Sequence, residues 1–202
     1  LTVGDADGPV RVAVMISGAG SNMAALIDAA AAPGAPFQIV RVISNDPEAG
    51  GLAIARAKSV PAVAVDHRPF GRDRAAHEAA VQAELEAAGA EVVALAGYMR
   101  LLTPWLVGRW EGRMLNIHPS LLPKYPGLDT HARALASGDV EAGCTVHLVT
   151  EGVDEGPILG SSAVPVVAGD TPESLSQRVR TAEHILFPRA LADFCRGRIR
   201  NR

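Results

Sequence analysis

The chain has 202 residues, of which 48% are hydrophobic, 20% charged and only 4% aromatic, enough for one large domain whose core is built from Ala and Val more than from rings. A net charge of −3 gives no support to a nucleic-acid-binding surface, which shows as a strongly basic balance. No apolar run approaches the length of a membrane span, and residues 1–9 hold no apolar signal core.

The chain opens on Leu1, so an initiator Met or a short leader is expected to have been lost or left out. The first element is the β-branched run 10–16. It stops at Ser17-Gly18-Ala19-Gly20-Ser21-Asn22 and gives way to an Ala- and Leu-rich helix over 23–32, closed by Pro33-Gly34. A strand ending in a glycine loop that opens a helix is the start of a doubly wound α/β fold. A strand over 37–44, a helix over 52–59 stopped before Pro61, a strand over 62–65, a helix over 74–88 ended by Gly89 and a strand over 91–96 continue the alternation. Such alternation argues for parallel strands joined by right-handed crossovers, and nearly continuous apolar strands fit a sheet covered by helices on both faces. The rhythm then changes. A helix over 103–110 carries Pro104 in its first turn, a strand over 113–117 follows, and a long segment contains Pro119, Pro123 and Pro126. A short helix over 130–137, strands over 145–150 and 158–167, and a long final helix containing 177–196 complete the chain. That helix has Thr171 as its N-cap and Pro172 at its first position, and Leu175, Val179, Ala182, Leu186 and Ala190 give it one buried stripe. The expected architecture is a single domain over 1–202: α/β, doubly wound, mostly parallel, with a Rossmann-like half over about 10–110 and a second half over about 111–195. Cys144 and Cys195 build neither a metal site nor a disulfide framework and read as thiols of a reducing, cytoplasmic compartment. The arginines 196, 198, 200 and 202 read as a solvated, frayed end before they read as a basic tail.

Three segments carry chemistry. In Gly18-Ala19-Gly20-Ser21-Asn22 the glycines let backbone N–H groups approach an anion at a helix N-terminus, so the loop is either a phosphate site or a plain glycine turn. It is neither a P-loop nor a full dinucleotide fingerprint, and Asp46 and Glu48 belong to an Asn45-Asp46-Pro47 turn. Asn116 and His118 stand two apart at a strand end, so both face one side, where an amide and an imidazole can hold a developing oxyanion; the plainer alternative is a capped strand with a surface His. Glu151-Gly152-Val153-Asp154-Glu155-Gly156-Pro157 is either a closing loop or a charged turn. His67, His77 and His184 read as surface or satisfied side chains, His131 as a rim residue and His147 as a supporting one, and no cluster has metal-ligand spacing.

Taken together these segments resemble the glycinamide ribonucleotide (GAR) formyltransferase family. The likeness runs from Val10 to about Leu191 through four blocks in register: 16–22, Leu95-Ala96-Gly97-Tyr98-Met99-Arg100-Leu101-Leu102, 116–127 and Asp154-Glu155-Gly156-Pro157. The resemblance implies formyl transfer from 10-formyltetrahydrofolate, as co-substrate, to the amine of GAR in purine biosynthesis, without a metal. It implies a catalytic trio at Asn116, His118 and Asp154, with Asn116 and Asp154 also touching the folate. It implies folate contacts at Met99, Arg100, Leu101 and Leu102, and at Arg74 for the glutamate tail, with Arg72 a rival. It implies GAR contacts at Gly20, Ser21, Asn22 and Arg180 for the phosphate and Glu183 for the amine. Arg180 and Glu183 are one helical turn apart; by themselves they read as a solvated face. The second half is then the folate and catalytic half. The implied partners are small molecules, not nucleic acid or membrane, in a monomer or weak homodimer. Asp129 stands where relatives commonly have His, which bears on the pH response. The rivals are two other formyl-folate enzymes and a non-catalytic nucleotide-binding module. Methionyl-tRNA formyltransferases have Arg-rich text in place of Lys124-Tyr125-Pro126-Gly127 and a C-terminal domain, whereas this chain stops at Arg202. Formyltetrahydrofolate hydrolases add an N-terminal regulatory domain.

Overall fold

The computed structural model describes residues 8–200; residues 1–7 and 201–202, and the side chains of Ile199 and Arg200, lie outside the described residues, and with them the expectations for Arg200 and Arg202. In chain order the elements are β1 (Val10–Ile16), α1 (Ser21–Ala30), β2 (Phe37–Ser44), α2 (Gly50–Ala57), β3 (Ala62–Ala64), a 3-10 turn at Arg68–Phe70 and α3 (Arg74–Ala87). They continue with β4 (Val92–Leu95), α4 (Pro104–Arg109), β5 (Met114–His118), α5 (Thr130–Ala136), β6 (Glu141–Leu148), β7 (Ile158–Pro165) and α6 (Pro172–Arg200). The strands form one sheet in the order β3-β2-β1-β4-β5-β6-β7. Neighbours from β3 to β5 are parallel, and β6 and β7 return antiparallel. The strand order reverses between β1 and β4, so the connections leaving their carboxyl ends diverge and open a crevice there.

Both faces are covered, as the apolar strands require. Val12, Val14 and Ile16 of β1 pack with Met23 and Leu26 of α1 and Phe187 of α6. The alternate residues Ala13 and Met15 pack with Val81 and Leu85 of α3 and Leu106 of α4. The stripe of α6 is buried at Leu175, Val179, Leu186 and Ala190, with Ala182 partly so. Each fully buried Leu, Val or Phe side chain contributes about 1.5–3 kcal/mol relative to exposure, so this face fixes α6. Thr171 caps α6 as expected: its Oγ1 accepts from Ser174 N–H while Ser174 Oγ accepts from Thr171 N–H.

Two expectations are corrected. β6 begins at Glu141, four residues before the expected start, and ends at Leu148. Within the added stretch a Cβ at Gly143 would lie 2.1 Å from the Ser162 carbonyl oxygen, so the close strand approach demands glycine. Among the described residues α6 runs to Arg200 where a frayed end was expected, with Arg196 paired to Asp193 at 2.8 Å and the Arg198 guanidinium over the Phe194 ring.

Candidate active site

The glycine loop is wedged between two helix starts. Gly20 is the N-cap of α1 at φ 75°, and a Cβ on it would lie 2.8 Å from Gly51 Cα, beside the first turn of α2. Gly51 N–H donates to the Gly18 carbonyl at 3.0 Å. The glycines therefore permit backbone-on-backbone packing, which leaves the first N–H groups of α1 facing outward. Residues 17–22, Ala96, Gly97, Met99 and Arg180 line a cleft of about 310 Å³. The exposed Arg180 side chain donates no hydrogen bond among the described residues. Glu183, one turn further along α6, is buried, and its carboxylate accepts from Asn22 Nδ2 at 2.8 Å. Burial pushes the Glu183 carboxyl up, against the opposing pull of Asn22 and Arg180. A buried carboxylate with a single hydrogen bond is short of donors, which suits an ammonium guest.

The second cluster forms on β5. Met114, Asn116 and His118 share one face by the two-residue period, while Leu115 and Ile117 enter the core on the other. Leu95 of β4 pairs with Asn116, so the turn at 96–97 that lines the glycine-loop cleft starts beside it. On the other side, Asn116 pairs with His147 of β6. The Asp154 carboxylate gathers these groups. Its Oδ1 lies 3.4 Å from Asn116 Nδ2 and 3.4 Å from His147 Nε2. Its Oδ2 accepts from Gly127 N–H at 2.9 Å and lies 3.3 Å from His118 Nδ1. Burial raises the Asp154 carboxyl, but the His147 and Gly127 hydrogen bonds and the two imidazoles outweigh it, and the net shift is downward. His118 Nε2 donates to the Tyr125 carbonyl at 2.9 Å, so a protonated ring offers an N–H to an acceptor on each side. His147 Nδ1 donates to the Leu148 carbonyl at 2.9 Å, and its Nε2, which faces the Asp154 carboxylate, lies 3.2 Å from Asn116 Nδ2. Asp154 itself sits at φ 55°, in the left-handed region that Asp tolerates better than most residues. Next to this cluster, Leu122, Pro123, Pro126 and residues 154–156 border a second cleft of about 290 Å³.

The structure thus brings Asn116, His118 and Asp154 together, joins Asn22 to Glu183, and puts Gly20, Ser21, Met99 and Arg180 on one cleft. Met99 and Leu101 are 69% and 67% exposed, with Arg100 and Leu102 half-buried beside them. Arg74 is occupied, its Nη2 donating to the Leu101 carbonyl at 2.9 Å. Asp129 precedes α5 at φ 57° and is exposed. His131 is half-buried, and burial, then the nearby Arg180 and His118, push its pKa down. His77 is buried and satisfied by the Val65 carbonyl, His67 bonds Asn45, and His184 leaves a buried Nε2 without a partner. Sequence reasoning missed Ser17, whose hydroxyl accepts from Met99 N–H at 2.7 Å and donates to Asn45 Oδ1. Its place in Ile16-Ser17-Gly18 at a strand end was the available signal.

The formyl transferase family pattern matches residues 10–191. The trifunctional purine biosynthetic protein adenosine-3 of Drosophila melanogaster is 48% identical over 93% of this chain, which spans only 14% of that relative's length. The phosphoribosylglycinamide formyltransferase of Escherichia coli K12 is 41% identical over 95% of this chain and 90% of its own length. The crystal structure of phosphoribosylglycinamide formyltransferase from Brucella melitensis superposes with a TM-score of 0.89 at 54% identity, covering 93% of this chain and 96% of that one. With the sheet, the glycine loop and the Asn116–His118–Asp154 cluster in place along the matched region, the chain belongs to the formyl transferase family, among its phosphoribosylglycinamide formyltransferases.

Proposed function

We propose that the chain transfers a formyl group from 10-formyltetrahydrofolate to the primary amine of glycinamide ribonucleotide. The observation that carries this reading is the Asp154 carboxylate holding Asn116 and His118 beside a cleft that ends in the glycine loop and Arg180. GAR has a phosphate at one end and an ammonium at the other. The outward N–H groups at the start of α1, with Arg180, match the phosphate. Glu183 matches the ammonium, and Asn22 orients Glu183. The exposed apolar side chains of Met99 and Leu101 beside the cleft suit the flat ring of a folate, with Arg100 and Leu102 flanking it and Asn116 and Asp154 at its reacting end.

In the transfer, the neutral amine attacks the formyl carbon and the carbonyl oxygen gains negative charge. Asn116 Nδ2 donates to that oxygen, and a protonated His118, whose two N–H groups face Asp154 and the Tyr125 carbonyl, stabilises it by its nearby positive charge. The negative charge of Asp154 faces the His118 ring, and its carboxylate accepts, directly or through a water, the proton that the attacking nitrogen sheds; the intermediate then collapses with cleavage of the bond between the formyl carbon and N10, which takes up that proton and leaves as tetrahydrofolate. Cys144 and Cys195 take no part: both are buried, and burial pushes the Cys144 thiol up to about 12. The test is a product assay with purified protein, GAR and 10-formyltetrahydrofolate. Formyl-GAR and tetrahydrofolate in equal amounts are expected. Formate release without formyl-GAR would point to hydrolysis, and formylation of initiator methionyl-tRNA in preference to GAR would move the acceptor to RNA.

A further inference from the structure

The segment 125–129 lies between β5 and α5, outside any helix or strand, and turns through three left-handed residues: Tyr125 at φ 55°, Gly127 at φ 78° and Asp129 at φ 57°. L side chains resist that region, and such backbone persists only where its surroundings hold it. Two side chains, one on α5 and one just past its end, do so. Asp139 holds the start of the segment, accepting from Lys124 Nζ at 3.0 Å and from the Tyr125 hydroxyl at 2.9 Å. Arg133 holds the rest. Its Nη1 donates to the Pro126 carbonyl at 2.6 Å and to the Leu128 carbonyl at 3.2 Å, and its guanidinium lies over the Tyr125 ring, 5.2 Å from the centroid. The Pro126 carbonyl and the Gly127 N–H are the two ends of one planar peptide group. Arg133 therefore pulls on the oxygen of the very group whose N–H donates to Asp154 Oδ2. At 2.9 Å that bond is shorter than the contacts of Asp154 with His118 at 3.3 Å and with Asn116 and His147 at 3.4 Å. A cation on the carbonyl and an anion on the N–H polarise the peptide in the same sense, so each bond strengthens the other.

We propose that Arg133 is a positioning residue for the reaction centre: through the peptide group between Pro126 and Gly127 it fixes the Asp154 carboxylate, which in turn holds Asn116 and His118. This rests on the formyl-transfer reading above. The test uses Arg133→Met, which keeps an apolar stem over Tyr125 and removes the donors and the charge, and Arg133→Lys, which restores a charged donor. Arg133→Met is expected to lower kcat about three- to tenfold, the lower end for a charge-assisted bond because the guanidinium is exposed. The KM for GAR and the KM for 10-formyltetrahydrofolate hold. Arg133→Lys recovers most of the loss, and equal losses in the two variants overturn the charge-assisted bond. A double-mutant cycle identifies the route. In an Asp154→Asn background Arg133→Met is expected to change kcat by less than about twofold, because the carboxylate it serves is gone. The same fold loss in both backgrounds overturns the proposal, as does an unchanged kcat in the wild-type background. The Gly127 amide proton resonance reads the bond with no substrate present: at neutral pH it moves upfield in Arg133→Met and stays near its wild-type position in Arg133→Lys. An unmoved Gly127 resonance in Arg133→Met overturns the link through that peptide. Absence of formyl transfer by the wild type removes the functional reading separately and leaves the resonance to decide the link from Arg133 to Asp154.

Discussion

Asp154→Asn keeps the shape of the side chain that organises the reaction centre and removes its charge. In the wild type the carboxylate stands 3.3 Å from His118 Nδ1, with both side chains largely shielded from water. At an effective dielectric of about 20, a unit charge pair at that separation attracts by about 5 kcal/mol. An amide keeps a dipole and one acceptor, so the expected loss is about 3–4 kcal/mol, or roughly 10²–10³ in kcat. The amide must also turn its NH2 toward another donor, either Gly127 N–H on one side or Asn116 Nδ2 on the other, which adds to the loss. Steady-state kinetics with GAR and 10-formyltetrahydrofolate measure it, and circular dichroism confirms that the variant is folded. Turnover within about threefold of wild type, less than 1 kcal/mol, would refute the carboxylate–imidazolium pairing as the source of catalytic charge. The same substitution has a signature in stability. The folded-state pKa of Asp154 is depressed, so its contribution is present above the ordinary aspartate range and lost as pH falls through the lower folded value. The stability gap between wild type and Asp154→Asn should therefore close on acidification, read as the difference in Tm across a pH series.

Asn116→Ala removes one oxyanion donor and is expected to lower kcat about 10²–10³-fold with little change in either KM; an equal loss in both KM values would make it a binding residue instead. Glu183→Gln should weaken GAR binding about tenfold or more in calorimetric titration, because the ammonium loses its counter-charge. Burial raises the Glu183 pKa, so the charged form costs stability above that pKa and not below it: the variant should gain Tm at neutral pH, and the gain should vanish on acidification. Gly20→Ala combines a left-handed backbone with a Cβ 2.8 Å from Gly51 Cα and is expected to cost about 2–4 kcal/mol in denaturant unfolding. Gly18→Ala meets nothing within 4 Å and should cost less than about 0.5 kcal/mol.

Local chemistry was legible before the structure, and long-range pairing was not. The strand, glycine loop and helix at the start of the chain announce themselves through β-branched residues and a turn of small ones, and Asn116 and His118 reveal a shared face through spacing alone. The partnership of Asn22 with Glu183 spans 161 residues and has no local signal, which is why Glu183 reads by itself as a solvated helix acid. His147 comes opposite Asn116 only through the antiparallel register of β5 and β6, so its contact with Asp154 follows from topology and not from its neighbours in sequence. Arg74, which the resemblance alone puts at the folate tail, donates to the Leu101 carbonyl 27 residues away, a contact that nothing in its local sequence announces. The demand for a glycine at 143 likewise comes from a strand that follows later, through the Ser162 carbonyl, and has no local signal between Ala142 and Cys144.

The bond between Asn22 and Glu183 also sets a schedule for the molecule as it is made. Asn22 leaves the ribosome first, and Glu183 follows 161 residues later. At about 5–20 residues per second that gap is roughly 8 to 32 seconds. During this interval the nascent chain has its glycine loop but no buried acid beside it, and α6, which packs on α1, β6 and β7, has not yet been synthesised. On the function proposed above, a chain that stalls or terminates before α6 lacks the acid that holds the amine in front of Asn116 and His118, and the interrupted product is inert toward its acceptor instead of competing for it.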